Sequence, residues 1–162
     1  MIWLGTCDLT QKIDRGFISL NSSVEIGDIM GNFRDFQTKI KSVNKTAEII
    51  FLQCPIYSIK LWNKHKRHPD YEASSADDKT LETKVEILNN EFSKLNAGTD
   101  GPKFSLDLLN CSRVRTVRNK RKLKSKYIFN MKDLYNDGIH PNSLLAHLWH
   151  RKIQEIVLDK CF

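Results

Sequence analysis

An α/β fold, with a parallel sheet flanked by helices, is what this sequence predicts. Three observations carry it. Short apolar runs of strand length lie at 2–4 and 49–54. Longer stretches place apolar residues at spacings of three and four, the mark of a helix with one buried face. The two kinds of segment alternate along the chain, which is the order of a parallel sheet with crossover helices. In such sheets chemistry sits just past the carboxyl ends of the strands.

Residues 2–4 read as a short buried strand that reaches Gly5 and a polar turn. A helix is predicted over 22–43, where Ile26, Ile29, Phe33, Phe36, Ile40 and Val43 share one face. Ser22 with Glu25 three residues on forms a capping box at its start, and Lys39 and Lys41 suit the dipole at its end. The run 49–54 is almost wholly apolar and stops at Pro55, which suits a strand buried on both faces. The polar, irregular stretch 57–78 reads as a long surface loop. A second helix follows over 76–96, with Leu81, Val85, Leu88, Phe92 and Leu95 as its buried stripe and Gly98 as its C-terminal cap. Residues 103–110 suit another strand, and 127–130 a further extended piece. The last helix begins near Pro141, a favoured first helical residue, and buries Leu145, Leu148, Trp149, Ile153, Ile156 and Val157.

The chain has 162 residues, enough for one domain with a core of its own. No apolar run approaches the length of a membrane span, and no basic segment precedes a long apolar one as in a signal peptide. Cys7, Cys54, Cys111 and Cys161 are widely separated and form no CxxC pair, which argues against a zinc ribbon or disulfide scaffold and for a reducing, intracellular setting, cytoplasmic or nuclear. The formal charge is +7, and it is concentrated. The stretch 113–126 holds Arg113, Arg115, Arg118, Lys120, Arg121, Lys122, Lys124 and Lys126 and no acid; the remainder of the chain has 18 Lys or Arg against 19 acids. Basic character therefore belongs to one segment. It suits contact with phosphate backbones of nucleic acid or another polyanion, and equally a solvated insertion or an import-like tract. It contains no aromatic residue on which bases could stack.

Chemistry is suggested most directly by the sequence NDGIHPN. Asp137 lies three residues before His140 on a loop that enters a helix. A carboxylate there can accept from one imidazole nitrogen, fix the tautomer and leave the other nitrogen as a general base. The same residues also suit a plain polar loop with Asp137 or Asn142 capping the helix. His147 and His150 sit three apart on the last helix, but no ligand set of metal-site spacing accompanies them, so neither a metal nor a cofactor is expected.

The segment DGIHPN, with Pro141 and Asn142 after the histidine, resembles the Asp-x-x-His-Pro element of the SGNH (GDSL-type) hydrolases. The segment IWLGTCDL resembles the same family's Gly-x-Asn-Asp element, usually read GTNDL after a buried strand, with Gly5, Cys7 and Asp8 at its positions. EIIFLQCP resembles the strand that follows. The resemblance implies a three-layer α/β/α flavodoxin-like parallel sheet and hydrolysis of an ester or acetyl ester. Asp137 and His140 would activate a serine, and Gly5 and the residue at position 7 would face the oxyanion.

Two departures from the family pattern shape the expectation. The Gly-Asp-Ser nucleophile element would precede residue 1, so the domain reads as truncated at its N-terminus and inactive by itself. The asparagine position is occupied by Cys7, a weak donor where an amide is a good one; losing such a donor costs roughly 10²–10³ in turnover. A thiol enzyme with Cys7 as nucleophile, His140 as base and Asp137 as orienter is an alternative. So is a non-catalytic module that binds polyanions through 113–126. In the family's sheet order the strand at 2–4 would become an unpaired apolar edge, from which marginal stability or self-association is expected.

Overall fold

The computed structural model describes residues 5–96, 112–116, 122–126 and 131–161. It is mainly helical. After a 3-10 turn at Thr6–Leu9 come β1 (Thr10–Lys12) and β2 (Ile18–Leu20), then α1 (Ile26–Val43), α2 (Ile59–His65) and a second 3-10 turn at Tyr71–Ser74. The chain continues through α3 (Ser75–Leu95), β3 (Ser112–Thr116), β4 (Lys122–Lys126), α4 (Met131–Leu134) and α5 (Ser143–Cys161).

The predicted parallel sheet is not what these residues form. Their strands make two separate antiparallel pairs, β1 with β2 and β3 with β4. The three-layer, flavodoxin-like α/β/α architecture is thereby corrected. The run 49–54 shows why the prediction went astray. It is buried, with Phe51 fully inaccessible and Ile50, Leu52 and Cys54 nearly so, but it is not a strand of either sheet. Two asparagines, Asn89 of α3 and Asn96 at its C-cap, each clamp one residue of its backbone. Asn96 accepts from Phe51 N–H at 2.9 Å through Oδ1 and donates to Phe51 O at 2.7 Å through Nδ2. Asn89 does the same for Cys54, at 2.6 and 2.9 Å. An apolar extended run must satisfy its backbone somewhere, and here side-chain amides supply four of its bonds. The expected strands at 2–4 and 103–110, the extended piece at 127–130, the Gly98 cap and the exposed edge at 2–4 lie outside the described residues.

The helices agree better with the sequence, with corrected ends. Four of the five residues of the predicted α3 stripe, Leu81, Val85, Leu88 and Phe92, are fully inaccessible, and Leu95 is partly buried. On α1 the buried set is Ile29, Met30 and Phe33, while Phe36 and Val43 are exposed. The capping box at Ser22 does not form. Ser23 instead bonds through its N–H and hydroxyl to Asn21 Oδ1, and the helix starts later, after Glu25. The predicted loop after residue 57 contains α2. Its N-cap is Ser58, whose Oγ accepts from Leu61 N–H at 3.0 Å and donates to Asp78 of α3 at 2.6 Å. Asp78 also accepts from Lys60 N–H, so a carboxylate sits at the positive end of α2. Burial of Asp78 raises its pKa, and these bonds offset the rise only in part.

One core joins these pieces. Phe33 of α1 meets Phe51 and Phe92 edge-on, at centroid distances of 5.3 and 4.7 Å. Leu9, Ile59, Leu134 and Leu145 extend the cluster toward the C-terminal helices. No helix among the described residues is long and apolar enough to cross a membrane.

Candidate acid–base site

The loop between α4 and α5 is closed on itself. Tyr135 and Pro141 form an isolated antiparallel bridge. Asn136 N–H donates to His140 O and Asn142 N–H to Leu134 O, each at 2.8 Å. Asn142 caps α5, its Oδ1 accepting from Leu145 N–H at 3.0 Å, and its Nδ2 donates to Asp133 O at 2.7 Å. The capping role that the sequence allowed for Asn142 and the orienting role that it allowed for Asp137 therefore coexist.

Inside this closed turn Asp137 uses both oxygens. Oδ1 accepts from Ile139 N–H at 3.0 Å and His140 N–H at 2.8 Å, while Oδ2 lies 2.7 Å from His140 Nδ1. An ionised carboxylate only accepts, so Nδ1 carries the proton and Nε2 of the neutral ring carries the lone pair. Exposure divides the pair: the Asp137 side chain is 13 % exposed, that of His140 65 %. The carboxylate is sheltered and the imidazole is open to solvent. Trp62 of α2 flanks the imidazole, with ring centroids 5.8 Å apart. Among the described residues no serine hydroxyl is hydrogen-bonded to Nε2.

Burial alone would raise the Asp137 pKa, but the two backbone N–H groups and the imidazole outweigh it and hold the carboxyl below its ordinary value. A depressed carboxylate stabilises the folded state above the ordinary pKa, and that contribution is lost as pH falls through the depressed value. Protection of the Ile139 and His140 amides against hydrogen exchange should accordingly be level from neutrality down to the usual carboxylate range and fall only below it. Protection that falls while the pH is still above that range would show that Asp137 does not hold the turn.

The turn is anchored by one seam, Pro55–Ser58. On one side Tyr135 OH donates to Ile56 O, and Ser58 N–H donates to Gly138 O at 2.8 Å. On the other, Thr6 Oγ1 donates to Pro55 O at 3.3 Å, and the Tyr57 hydroxyl bonds Thr10 Oγ1 and donates to Thr6 O at 3.2 Å. The Cys7 turn and the His140 turn thus flank the same four residues. They are not joined into one constellation: no bond links Cys7 to Asp137 or His140 among the described residues. Cys7 is exposed and lines a cavity of about 650 Å³ with Asp8, Thr10, Asp28, Phe33 and Phe36, and Asp137 and His140 do not line it.

Gly5, the other oxyanion candidate, is buried at φ +123°, and a β-carbon there would lie 2.9 Å from Cys54 Sγ. Its carbonyl accepts from Asp8 N–H at 3.2 Å. Cys54 is a core thiol whose pKa is pushed up to about 11 by burial, which removes it as a nucleophile. His147 and His150 are exposed, and no group of three metal-ligating side chains occurs among the described residues. Of the basic segment, Arg113, Arg115, Lys122, Lys124 and Lys126 fall on β3 and β4; Arg118, Lys120 and Arg121 lie outside the described residues. Sequence reasoning missed Trp62, Ser58 and Tyr135, which seat the turn. Only Ser58 left a signal, as a capping residue followed by a short run of helix formers.

Comparison with protein-family models, with curated proteins and with solved structures finds no match to this chain. The likeness to the hydrolase family therefore rests on the three short segments alone.

Proposed function

We propose that this chain carries the acid–base pair of an ester hydrolase, with His140 Nε2 as the proton acceptor and Asp137 as its orienter. The supporting observation is the 2.7 Å Nδ1–Oδ2 contact, made by a carboxylate whose other oxygen is fixed by two backbone N–H groups. This arrangement presents a lone pair to solvent at Nε2 and stabilises the imidazolium once a proton arrives. In this reading the hydroxyl nucleophile comes from outside the described residues, and the chain by itself does not turn over esters.

Acylation by diethyl pyrocarbonate reads the Nε2 lone pair directly. His140 should react first among the five histidines, and Asp137→Asn should slow it by more than about tenfold, because the wrong tautomer puts N–H at Nε2. Equal reactivity of His140 in both proteins would overturn the proposal. With a short-chain nitrophenyl ester, the chain should give no burst of nitrophenol. A burst lost in both His140→Ala and Cys7→Ala would replace this reading by the thiol enzyme.

A second reading, polyanion binding, is favoured by the concentration of eight bases and no acid within 113–126, nine of whose positions belong to the paired strands β3 and β4.

A further inference from the structure

The basic segment could have been a featureless tail; the structure instead pairs much of it as an antiparallel ribbon. β3 and β4 align Ser112 with Lys126, Arg113 with Ser125, Val114 with Lys124, Arg115 with Leu123 and Thr116 with Lys122. Cross-strand partners share a face and successive residues alternate faces. Lys122, Lys124 and Lys126 therefore occupy one face together with Ser112, Val114 and Thr116. Arg113 and Arg115 occupy the other with Ser125 and Leu123. The three lysines stand at every second position of one strand, about 6.8 Å apart, in a row about 14 Å long.

We infer that the Lys122–Lys124–Lys126 face of this ribbon binds the phosphates of duplex DNA. The inference deepens the polyanion reading and does not depend on the hydrolase one. Three features choose the partner. Neither strand contains an aromatic residue, so the ribbon has no stacking platform for single-stranded bases. The B-form major groove is wide enough to admit a two-stranded ribbon, whereas the A-form major groove of duplex RNA is too narrow. The two apolar residues, Val114 and Leu123, fall on opposite faces, so neither face is the apolar one that a bilayer surface needs.

The test uses the whole chain and a labelled 20-base-pair DNA duplex, with binding followed by fluorescence anisotropy across a salt series. Each phosphate neutralised contributes about 0.9 to the slope of log K against log salt. Lys122→Gln with Lys124→Gln should reduce that slope by about 1.8. Arg113→Gln with Arg115→Gln, the same loss of charge from the other face, should change it by less than half as much. Lys122→Arg with Lys124→Arg should bind as the parent does, which separates charge from a damaged ribbon. Equal losses from the two glutamine pairs would overturn the face assignment. Equal or tighter binding to the single strand, to an RNA duplex or to phosphatidylserine vesicles would overturn the duplex-DNA partner while leaving polyanion binding standing. No binding to any of the four would overturn both.

Discussion

Replacing Gly138 by alanine is expected to dislodge the Asp137–His140 turn. Gly138 sits at φ +99°, a region that L-residues rarely adopt. A β-carbon there would lie 2.6 Å from Leu61 Cβ, 2.7 Å from Trp62 N and 2.9 Å from Ser58 O. Two of those atoms are backbone within and just before α2, so no side-chain rotation relieves the collision. The turn must lift off, which also breaks the bond from Ser58 N–H to Gly138 O. Backbone strain and overpacking each cost about 1–3 kcal/mol, so at most about 2–6 kcal/mol is expected, less where undocking the turn costs less. The functional consequence should exceed the global one. The His140 and Ile139 amides should lose protection, and the preferential acylation of His140 should disappear, while α1 and α3 stay folded. Gly16, at φ +79° with nothing near its would-be β-carbon, provides the control: Gly16→Ala meets the same kind of backbone strain but no collision, and it should leave His140 untouched. A Gly138→Ala protein in which His140 keeps its reactivity and its amide protection would show that the turn does not depend on this seat.

The contrast between what the sequence disclosed and what it did not follows from range. Asp137 and His140 are three residues apart, and every bond that orients them lies within residues 137–140. Local chemistry of that kind is readable from a string of letters. So is the stripe of α3, whose period reports a single continuous face. The bonds that seat the turn are different. Ser58 to Gly138 and Tyr135 to Ile56 join positions about eighty apart, and nothing in either segment announces the other. The same holds for α2. Its first turn is completed by Asp78, twenty residues from Ser58, so a short polar-looking segment became helical through a partner that its own sequence does not contain. The parallel sheet was misread for a related reason. Hydrophobicity reveals that 49–54 is buried, but it is silent on which groups bond its backbone, and for Phe51 and Cys54 these include the side-chain amides of Asn96 and Asn89. On α1 the apolar period runs past the part of the helix that is covered, leaving Phe36 beside a cavity and Val43 in solvent.

Asn96→Ala should produce a large loss of stability for the removal of three heavy atoms. The Asn96 side chain imitates a neighbouring strand: one oxygen and one nitrogen engage the N–H and C=O of a single residue, Phe51. Both residues are buried, so water cannot replace the amide without opening the core. Each buried polar group left without its bond costs about 1–3 kcal/mol, and two are exposed to that loss at once. The removed side chain takes its own burial cost with it, which offsets part of the penalty. A net destabilisation of about 2–4 kcal/mol is expected, corresponding to roughly 4–16 °C in Tm for a chain of this size. Phe51 also carries the contact with Phe33, so displacement of its backbone would spread to α1. Asn63 makes the same two-bond clamp on Ile18, at 3.0 and 2.9 Å, and Asn63→Ala should behave alike. Asn90, exposed on α3, shares the residue type without the clamp, so Asn90→Ala should move Tm little, its cost held to about 0.5 kcal/mol or less. Chemical denaturation of the four proteins decides the matter: if Asn96→Ala and Asn90→Ala unfold at the same midpoint, the side-chain clamp contributes nothing, and the backbone of the buried run is satisfied by other means.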